Sequence, residues 1–512
     1  MLESIQWIDA IVVALVGLLV HRLSKERVKY PLNMLQLASY KNEDYRDWVE
    51  KNLPRVRRLH YKKQEEKTPL VMTDRATRLY KTHLRLSGSL LVGVVALRLI
   101  FMSFGYWFTL VCVVLNFLIF FLQYWILILS NSINYPNEEK INMGFYHQAQ
   151  DKIRSLKDQN NLRVLGITGS FGKTSTKFIT NTVLQEAFEV QNTPSSYNTP
   201  MGLSKIINNE LNSDKEVFIA ELGAEVPGEI EEVADLVQPD IGVITAIGPT
   251  HMHLFKTIEN IQRTKFELIE SLPEDGVAIF NHDNGYVREL VGKRDIRTLK
   301  YGMEDLEALD LYAKDIHVGE RGSQFILGIK GLGEIACQTR LLGRHNISNL
   351  LAAASVAHVL GMDLDQIQAG IAKVEPVDHR LNLIDSPAGT LVIDDTFNSN
   401  PVGARAALDV LGQFEKGQKI IITPGMVELG DMEEEENYKL GKEIARVVDY
   451  AILVGISRTA PIQRGILEEG FPKDRMKVVE NLDGATALIG QLAKPGDVIL
   501  FENDLPDNYS EV

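Results

Sequence analysis

A glycine-rich turn near residue 170 carries the residue types that hold nucleotide phosphates. Gly169 and Gly172 allow a loop tight enough for its backbone N–H groups to converge on an anion. Lys173 adds the positive charge that a terminal phosphate needs, and the hydroxyl of Thr174 is a ligand type for Mg²⁺. The residues expected to contact the nucleotide here are Gly169, Ser170, Gly172, Lys173, Thr174 and Ser175.

The surroundings of this turn favour a phosphate loop over an ordinary Gly/Ser turn. Apolar residues 164–167 predict a buried strand before the turn, and a helical pattern follows it as far as Leu184. The first glycine of the usual pattern stands one place early, at Gly166, so a strict pattern search misses the loop.

The elements that must position this loop are those of two α/β domains. After Pro136, short apolar runs alternate with helical periods, which is typical of doubly wound folds with mostly parallel sheets. A helix is expected to end near Gly361, and residues 375–380 resemble a hinge into a second α/β unit. Buried strands are predicted at 217–222, 241–246, 277–280, 391–394, 419–423, 450–454 and 497–501.

Residues 1–140 are predicted to be a membrane region. The segment 108–129 contains no charged residue and is long enough to cross a bilayer. Two further apolar segments, 86–104 and 5–20, contain Arg98 and Asp9 respectively. The acidic start of the chain argues against a cleaved signal peptide, so the first segment is interpreted as a retained anchor.

Charge predicts how this region is oriented. Residues 21–85 carry 17 Lys and Arg against 8 Asp and Glu, which predicts a basic loop in the cytoplasm. The segments 86–104 and 108–129 then form a hairpin with an external turn near residues 105–106. The basic residues serve either to orient the chain or to contact anionic head groups, and the two roles are compatible. We therefore expect a multi-pass protein of the bacterial cytoplasmic membrane with its catalytic domains in the cytoplasm.

Bulk properties limit the possible partners. The net charge of −14 leaves about −21 on residues 151–512 once the basic region is subtracted, which argues against nucleic acid as a partner. Cys112 and Cys337 are too few and too far apart to suggest a disulfide framework or a Cys-rich metal site.

Several sequence fragments occur in an order that resembles the Mur ligases of peptidoglycan synthesis, most closely the member that adds D-alanyl-D-alanine. The resemblance covers about residues 140–500 and implies a central ATP-binding domain at 141–378 and a Rossmann-like C-terminal domain at 379–512. The fragments are Thr-Gly-Ser-Phe-Gly-Lys-Thr (168–174), Glu-Leu-Gly-Ala (221–224), Gly-Pro-Thr-His (248–251), Arg-Thr-Lys-Phe-Glu (263–267), Phe-Asn-His-Asp (280–283), Gly-Arg-His-Asn-Ile-Ser-Asn (343–349), Asp-His-Arg (378–380), Ile-Asp-Asp-Thr-Phe-Asn-Ser-Asn-Pro (393–401) and Met-Val-Glu-Leu-Gly (426–430).

The resemblance implies a reaction that uses ATP and two Mg²⁺ ions: a carboxylate is phosphorylated, and an amine then displaces the phosphate. Thr174 and Glu221 are implied as oxygen ligands of the metals. His251 is implied as the imidazole ligand of the second metal, with His253 as a rival. Lys265 matches a lysine that the family often carbamylates, the alternative being an exposed helix lysine. Lys173, His251 and Lys265 are the implied catalytic residues.

The remaining implied contacts concern nucleotide and substrate. Asn346 resembles the adenine contact and Asn349 lies on the same helix face, although a helix cap is the alternative. Arg380 is implied to reach the phosphates and Asp395 to bind the ribose. The side chains that are implied to line the amine pocket, with Asx-turn chemistry as the alternative, are Asn398 and Asn400.

Two departures from the family pattern leave the substrates open. No counterpart of the domain that holds the UDP end of the sugar nucleotide precedes the phosphate loop. The usual C-terminal Lys-Gly-Ser-Arg segment is replaced by residues 501–509, and the usual Leu-Gly-Asp-Met by residues 423–426. The acidic residues Glu502, Asp504 and Asp507 form either a site for a cationic group or a solvated tail.

The sequence thus predicts an ATP-dependent amide-bond ligase of the Mur type at the membrane. Its acceptor is a muramoyl peptide, either UDP-linked or lipid-linked, and its amine is an amino acid or a dipeptide such as D-alanyl-D-alanine. A synthetase of a poly-γ-glutamate-type polymer is an alternative that the anchor favours and the segment Asp-Asp-Thr-Phe-Asn-Ser-Asn-Pro (394–401) disfavours. A non-catalytic ATP-binding scaffold is a further alternative, which the retained Lys173, Glu221, His251 and Lys265 disfavour.

Overall fold

The computed structural model describes residues 2–53, 69–397 and 399–505 of the 512-residue chain. They divide after Met143 into two compact units, here the N-terminal unit and the C-terminal unit. The elements of the N-terminal unit are α1 (Leu2–Arg27), α2 (Lys29–Leu37), α3 (Asn42–Lys51), α4 (Asp74–Ile100), α5 (Tyr106–Phe121) and the first part of α6 (Gln123–Asn160).

The N-terminal unit contains helices of membrane-spanning length and composition. Among the described residues, Trp7–Leu37 and Asp74–Ile100 are long and apolar enough to cross a bilayer. The pair α5 and α6 passes the same test only as one span with a bend of 66°. The transmembrane helix predicted at 108–129 is therefore interrupted at Leu122, although the bent pair as a whole is long and apolar enough to span a bilayer. The polar residue Gln123 lies at the break, where its side-chain amide donates to the Ile119 carbonyl at 2.9 Å and competes with the helix ladder.

The basic stretch 21–85, predicted as a cytoplasmic loop between membrane segments, contains helices in the structure. It contains the end of α1, all of α2 and α3, and the start of α4, while residues 54–68 lie outside the described part. Helix α4 begins twelve residues earlier than the predicted apolar segment at 86. The Thr73 side chain accepts a hydrogen bond from the Ala76 N–H at 3.2 Å and so caps this earlier start.

Polar side chains join the apolar helices of this unit. The Arg98 guanidinium on α4 donates to Asp9 on α1 at 3.0 Å and to the Thr109 hydroxyl on α5 at 3.0 Å. The Asn116 side chain on α5 donates to the Val13 carbonyl on α1 at 3.2 Å. These contacts satisfy groups that are costly in an apolar environment, and they fix three helices against one another.

The first sheet of the C-terminal unit has nine strands among the described residues, in the order β2-β3-β1-β4-β5-β6-β7-β8-β9. The pairs from β2 to β7 are parallel, and the pairs β7-β8 and β8-β9 are antiparallel. Its elements after α6 are β1 (Arg163–Thr168), α7 (Lys173–Leu184), β2 (Val190–Asn192), α8 (Pro200–Asn209), β3 (Val217–Glu221), α9 (Glu229–Val237), β4 (Ile241–Ile244), α10 (Met252–Phe255), α11 (Ile258–Glu270), β5 (Val277–Asn281), α12 (Gly285–Arg288), β6 (Arg297–Gly302), β7 (Leu311–Gly319), β8 (Gly322–Ile329), β9 (Gly333–Thr339), α13 (Arg344–Val359) and α14 (Leu364–Lys373).

The second sheet has six strands in the described range, in the order β10-β11-β15-β12-β13-β14. All of its pairs are parallel except β10-β11. Its elements are β10 (Asn382–Asp385), β11 (Leu391–Asp395), α15 (Pro401–Gly412), β12 (Lys419–Thr423), α16 (Glu433–Val447), β13 (Tyr450–Val454), α17 (Ala460–Glu468), β14 (Met476–Val479), α18 (Leu482–Leu492) and β15 (Val498–Glu502).

Alternation along the central strands explains why helices cover both faces of the first sheet. Leu165 and Ile167 on β1 pack into one core with α7, α13 and α14, while Val164 packs into another with α8, α9, α11 and the end of α6. All seven predicted strands are present, with ends shifted by at most two residues. The parallel sheets place the loops after β1, β3 and β4 at one edge, where α/β proteins bind ligands.

Candidate functional site

The loop after β1 has the geometry of an anion cradle. Gly169 has φ +154° and Gly172 has φ +81°, values that disfavour a side chain. An added Cβ would lie 2.2 Å from the Thr245 hydroxyl oxygen at Gly169 and 2.9 Å from Asn349 Oδ1 at Gly172. The Ser170 N–H donates to the Ala246 carbonyl at 2.7 Å, which ties the loop to the end of β4. Because Gly169 and Gly172 have no side chains, the loop can present its backbone to a phosphate.

Lys173 is the first residue of α7 and lies against this loop. Its ammonium group donates to the carbonyls of Gly169 at 2.7 Å and Ser170 at 3.3 Å. Burial lowers the pKa of Lys173, the Glu221 carboxylate opposes that shift, and the Arg380 charge adds to it. Two cations close enough to repel each other mark a site for negative charge.

Glu221, at the end of β3, has a side chain that is 1% exposed and is held by three neighbours. The Thr174 hydroxyl donates to its Oε1 at 3.0 Å, and the Asn198 side chain donates to the same oxygen at 3.2 Å. Lys177 forms an ion pair with its Oε2 at 3.2 Å and also donates to the Ser195 carbonyl. The structure therefore brings two of the three predicted metal ligands, Thr174 and Glu221, together.

Lys177 and Asn198 were not predicted as site residues. The signal for Lys177 was its position one helical turn after Lys173, which places it on the same face of α7. Asn198 lies in the loop before α8 and has no local motif, so only the fold brings it to Glu221.

Asn346 and Asn349 lie behind the phosphate loop on α13. The Asn346 amide donates to the Leu342 carbonyl at 2.9 Å, and its Oδ1 accepts from Asn349 at 3.1 Å. Asn349 Oδ1 in turn accepts from the Thr176 hydroxyl on α7 at 3.2 Å. These contacts hold α7 and α13 together, and the adenine contact of Asn346 stays a prediction.

His251 lies between β4 and α10, and its side chain contacts Glu428, which follows β12 of the second sheet. Its Nδ1 is 3.0 Å from Glu428 Oε2. Both residues have positive φ, +47° for His251 and +65° for Glu428, conformations that non-glycine residues seldom adopt outside special sites. The side chain of His253, the rival ligand, lies outside the described part. Glu428 was missed as a site residue, although its Met-Val-Glu-Leu-Gly fragment was noticed.

Lys265 on α11 is 2% exposed, so the alternative of an exposed helix lysine is wrong. Its ammonium group lies 3.5 Å from the Ala224 carbonyl and 5.8 Å from the centroid of the Phe255 ring. Burial and the Lys173 charge lower the pKa of Lys265 to about 7. A substantial neutral fraction near neutral pH is what reaction of the amine with carbon dioxide requires.

Arg380 lines the cleft together with the loop, and Asp395 is the last residue of β11 in the second sheet. The Arg380 guanidinium stacks 4.0 Å above the Phe397 ring centroid, and its buried Nε has no partner among the described residues. Asp395 Oδ1 accepts from the Leu381 N–H at 3.2 Å. Burial and the Glu502 carboxylate raise the pKa of Asp395 to about 7, against the opposing charge of Arg380.

Glu502, at the end of β15, is buried, so the interpretation as a solvated tail is wrong for this residue. The Glu502 side chain is 1% exposed and accepts hydrogen bonds from the hydroxyls of Ser399 and Thr423. Burial raises its pKa, and these two hydrogen bonds act in the opposite direction. Asp504 is exposed, whereas Asp507 lies outside the described residues.

The two predicted amine-pocket residues have different outcomes. Asn398 lies outside the described residues. Asn400 caps α15, since its Oδ1 accepts from the N–H groups of Val402 at 3.1 Å and Gly403 at 2.9 Å. This is the Asx-type geometry that sequence analysis left as the alternative, and it leaves the Asn400 amide N–H₂ available to a ligand.

A cleft of about 180 Å³ runs between the phosphate loop and the second sheet. Nine predicted site residues line it, whereas Gly169, Lys265, Asn346, Asn349 and Asp395 are not among its lining residues. The described residues contain no cluster of three or more His, Cys, Asp and Glu side chains that would hold a metal alone. A site with one carboxylate and one hydroxyl fits Mg²⁺ shared with phosphate oxygens. The lining residues are Ser170, Phe171, Gly172, Lys173, Thr174, Ser175, Ser196, Asn198, Glu221, Thr250, His251, Arg380, Phe397, Ser399, Asn400, Val427, Glu428 and Leu429.

Comparison with known proteins gives matches over most of the C-terminal unit. Residues 167–357 match the family described as the Mur ligase middle domain, and residues 379–502 match the Mur ligase, glutamate ligase domain. The UDP-N-acetylmuramoyl-tripeptide--D-alanyl-D-alanine ligase of Bacillus subtilis (strain 168) is 31% identical over 66% of this chain and 72% of that protein. The enzyme of the same name from Escherichia coli (strain K12) is 30% identical over 59% of this chain and 66% of that protein.

Solved structures resemble the chain over a similar extent. A crystal structure of MurF from Acinetobacter baumannii aligns with a TM-score of 0.63 and 26% identity, covering 72% of this chain and 78% of that one. MurF ligase from Thermotoga maritima in complex with ADP aligns with a TM-score of 0.62 and 25% identity, covering 71% and 80%.

Proposed function

Since this chain belongs to the Mur ligase family, we propose that it is an ATP-dependent ligase of peptidoglycan precursor synthesis. It joins the amino group of D-alanyl-D-alanine to a carboxylate of a muramoyl-tripeptide acceptor, the activity that its relatives' names describe. We place the central ATP-binding domain at residues 141–378 and the C-terminal domain at 379–512, after a membrane region at 1–140.

One observation carries the proposal: the phosphate loop with Lys173 faces Arg380 across a cleft, with Thr174 and Glu221 at one side. The cleft joins a nucleotide cradle on the first sheet to side chains of the second sheet. A protein that only binds ATP does not need a second domain to bring Arg380 to the phosphates. This arrangement favours transfer chemistry over a scaffold.

Each group of residues around the cleft has its own proposed role in the reaction. Backbone N–H groups of the loop hold the phosphates, and Lys173 with Arg380 stabilises the charge that develops during phosphoryl transfer. Thr174 and Glu221 would hold one Mg²⁺ and His251 the second, with a carbamate on Lys265 as support. Magnesium, when bound, neutralises phosphate oxygens and aligns them with the attacking carboxylate. Asn346 and Asp395 would orient the adenosine, and Asn398 and Asn400 the amine.

The proposed reaction needs no reactant besides ATP, the acceptor carboxylate and the amine. A carboxylate oxygen of the acceptor attacks the terminal phosphorus of ATP and ADP leaves, which gives an acyl phosphate. The neutral amine nitrogen then attacks the acyl carbon, the carbon–oxygen bond to phosphate breaks, and phosphate leaves with the electron pair while the nitrogen gives up one proton, which the released phosphate can accept.

A second acceptor is favoured by the helices of the N-terminal unit. Two of them are long and apolar enough to span a bilayer, and the family matches begin only at residue 167. A lipid-linked muramoyl peptide would need no UDP-binding domain and would lie at the cytoplasmic membrane face. We propose this as the alternative to the UDP-linked acceptor.

The test uses purified full-length protein with ATP, Mg²⁺ and D-alanyl-D-alanine. UDP-linked and lipid-linked muramoyl peptides are supplied in parallel, and phosphate release and product mass are measured. Acceptor-dependent phosphate release with a new amide product supports the proposal. ATP binding with no product from any acceptor in the panel would favour the scaffold.

A further inference from the structure

Glu502 is a buried carboxylate that the described residues supply with hydroxyl groups and with no cation. It ends β15, and its side chain is 1% exposed. The Ser399 hydroxyl donates to its Oε1, and the Thr423 hydroxyl donates to its Oε2 at 2.6 Å. Burying a carboxylate without an opposite charge costs free energy that two neutral hydroxyls recover only in part. A carboxylate held at that cost points to chemistry more than to packing.

The surroundings of Glu502 raise its affinity for a proton. Burial raises its pKa, and the two hydrogen bonds from hydroxyls act against that shift. Asp395 pairs with Glu502 in the register of β11 and β15, so a second carboxylate lies beside it, and the charge of Arg380 acts on Asp395. Asp504, two residues after Glu502, is exposed. A carboxylate with a raised pKa is a stronger base than one in water.

Ser399 connects Glu502 to the cleft. It is one of the residues that line the cleft, as are Lys173 and Asn400, whereas Glu502 is not among them. The Ser399 O–H is directed to Glu502, and its oxygen keeps lone pairs that can accept an N–H from a ligand. A proton from a ligand in the cleft therefore reaches Glu502 through Ser399.

We propose that Ser399 and Glu502 form a proton relay that converts the incoming ammonium group to the neutral amine. The inference rests on the proposed function, because only an amine with a free lone pair can attack an acyl phosphate. One ammonium N–H bond breaks as its proton moves to Ser399 Oγ, the Ser399 proton moves to Glu502 Oε1, and the nitrogen keeps the electron pair. Ammonium and carboxylate thus become amine and carboxylic acid, and Glu502 returns its proton to solvent through Ser399 when the products leave. Ser399 is the catalytic residue, and Glu502 acts through it.

A purely structural role for this pair has different consequences. A structural pair would affect both steps of the reaction and would be indifferent to the pKa of the amine. A relay serves only the second step, and it matters less when the amine is already neutral. Fluorine withdraws electrons and lowers the pKa of a nearby amine. D-alanyl-D-alanine and its analogue fluorinated on the first side chain therefore separate the two roles.

The experiment uses the full-length protein with ATP, Mg²⁺ and UDP-linked or lipid-linked muramoyl-tripeptide. Ser399→Ala and the nearly isosteric Glu502→Gln should each slow amide formation from D-alanyl-D-alanine by about 100-fold or more. With the fluorinated dipeptide the loss should be about tenfold smaller, because less of the amine needs the relay. The double variant should be no slower than the slower single variant, since both residues act in one relay. Acyl phosphate formed without dipeptide, trapped by hydroxylamine as the hydroxamate, should match wild type.

The matched control is Thr423→Val, which removes the other hydroxyl hydrogen bond to Glu502 at a residue that does not line the cleft. It should lower thermal stability and leave the ratio of rates for the two dipeptides at the wild-type value. If Glu502→Gln does not fold, Ser399→Ala carries the test. Equal losses with both dipeptides, or a wild-type rate in either variant, would overturn the inference. Absence of trapped acyl phosphate or of amide in the wild-type protein would instead count against the proposed function.

Discussion

Buried charges in the cleft are paired in a way that leaves positive charge for a ligand. Glu221 forms an ion pair with Lys177 and accepts hydrogen bonds from Thr174 and Asn198, so its single negative charge does not neutralise Lys173 and Arg380 fully. The buried Nε of Arg380 lacks a partner within the described chain. An unpaired buried donor costs free energy that an anionic ligand recovers.

Lys173→Ala should lower acceptor-dependent ATP hydrolysis by about 100-fold or more, because it removes a charge that stabilises the transferring phosphate. The fold should persist, since the hydrogen bonds that the Lys173 ammonium makes to described residues go to carbonyls of the loop. Phosphate release and thermal unfolding are the measurements, with the exposed Lys330→Ala as control. Wild-type turnover in Lys173→Ala would identify the loop as a structural turn.

The lowered pKa of Lys265 leads us to expect that its amine reacts with carbon dioxide to form a carbamate. Its pKa of about 7 leaves the amine partly neutral at physiological pH, which is the form that forms a carbamate. Lys265→Ala should lose about 10- to 100-fold in turnover, as for other residues that support metal ligands. Acetate or formate should restore part of it by replacing the missing carboxylate. A ¹³C carbamate signal from labelled bicarbonate should be present in wild type only, and normal activity of the variant would refute the carbamate.

The raised pKa of Asp395 predicts how the free energy of unfolding changes with pH. Its pKa is raised from 3.8 to about 7, so the folded state binds more protons than the unfolded state between those values. Its contribution therefore falls as pH rises from about 4 to 7. Asp395→Asn removes this penalty and should melt higher than wild type at pH 8, by about 2–4 °C per kcal/mol regained. The gap should close at pH 5, and a gap independent of pH would contradict the assignment.

At the scale of elements, contiguous chemistry could be predicted and contacts between distant segments could not. The β1 strand, the loop and α7 occupy one stretch, so Gly169, Gly172 and Lys173 could be recognised from spacing alone. His251 follows β4 and Glu428 follows β12, in different sheets. The two residues are in contact because the loops after both strands line one cleft. No local pattern carries that information.

Strand prediction shows the same limit. Strongly apolar buried strands such as β12 (Lys419–Thr423) were predicted with correct ends. The antiparallel strands β7 to β9 were not predicted, because they are partly exposed and their apolar residues alternate with polar ones. The break between α5 and α6 was missed because hydropathy averages over Gln123, whose side chain acts on the backbone locally.

The ion pair between α1 and α4 gives a prediction at this scale. Arg98→Leu leaves the Asp9 carboxylate without its partner and should destabilise the N-terminal unit by about 3 kcal/mol. Replacing both residues by leucine should recover much of the loss, since no charge is then stranded. The measurement is the fraction of monodisperse protein after heating in detergent, with the exposed Arg85→Leu on the same helix as control. A double variant no better than Arg98→Leu would refute the pairing argument.

At the scale of the whole molecule, the C-terminal unit contains the cores that a soluble enzyme needs. The last part of α6 belongs to this unit, where Tyr146, Ala149 and Ile153 pack into the core beneath β1. The N-terminal unit has separate clusters of its own, formed by its helices. A truncation that keeps α6 from residue 136 onward therefore preserves the packing beneath the phosphate loop.

Deleting residues 1–135 should leave a soluble protein that binds ATP, because the loop, Lys173, Glu221 and both sheets lie beyond the deletion. On a lipid-linked acceptor at low concentration, the truncated protein should lose most of its rate. A membrane tether confines enzyme and acceptor to one thin layer, and basic residues add about 1 kcal/mol each near an anionic surface. Rates on a soluble UDP-linked acceptor and on the lipid-linked one are compared in vesicles. If the truncated and full-length proteins use the UDP-linked acceptor equally fast, and neither uses the lipid-linked one, then the helices serve only as an anchor.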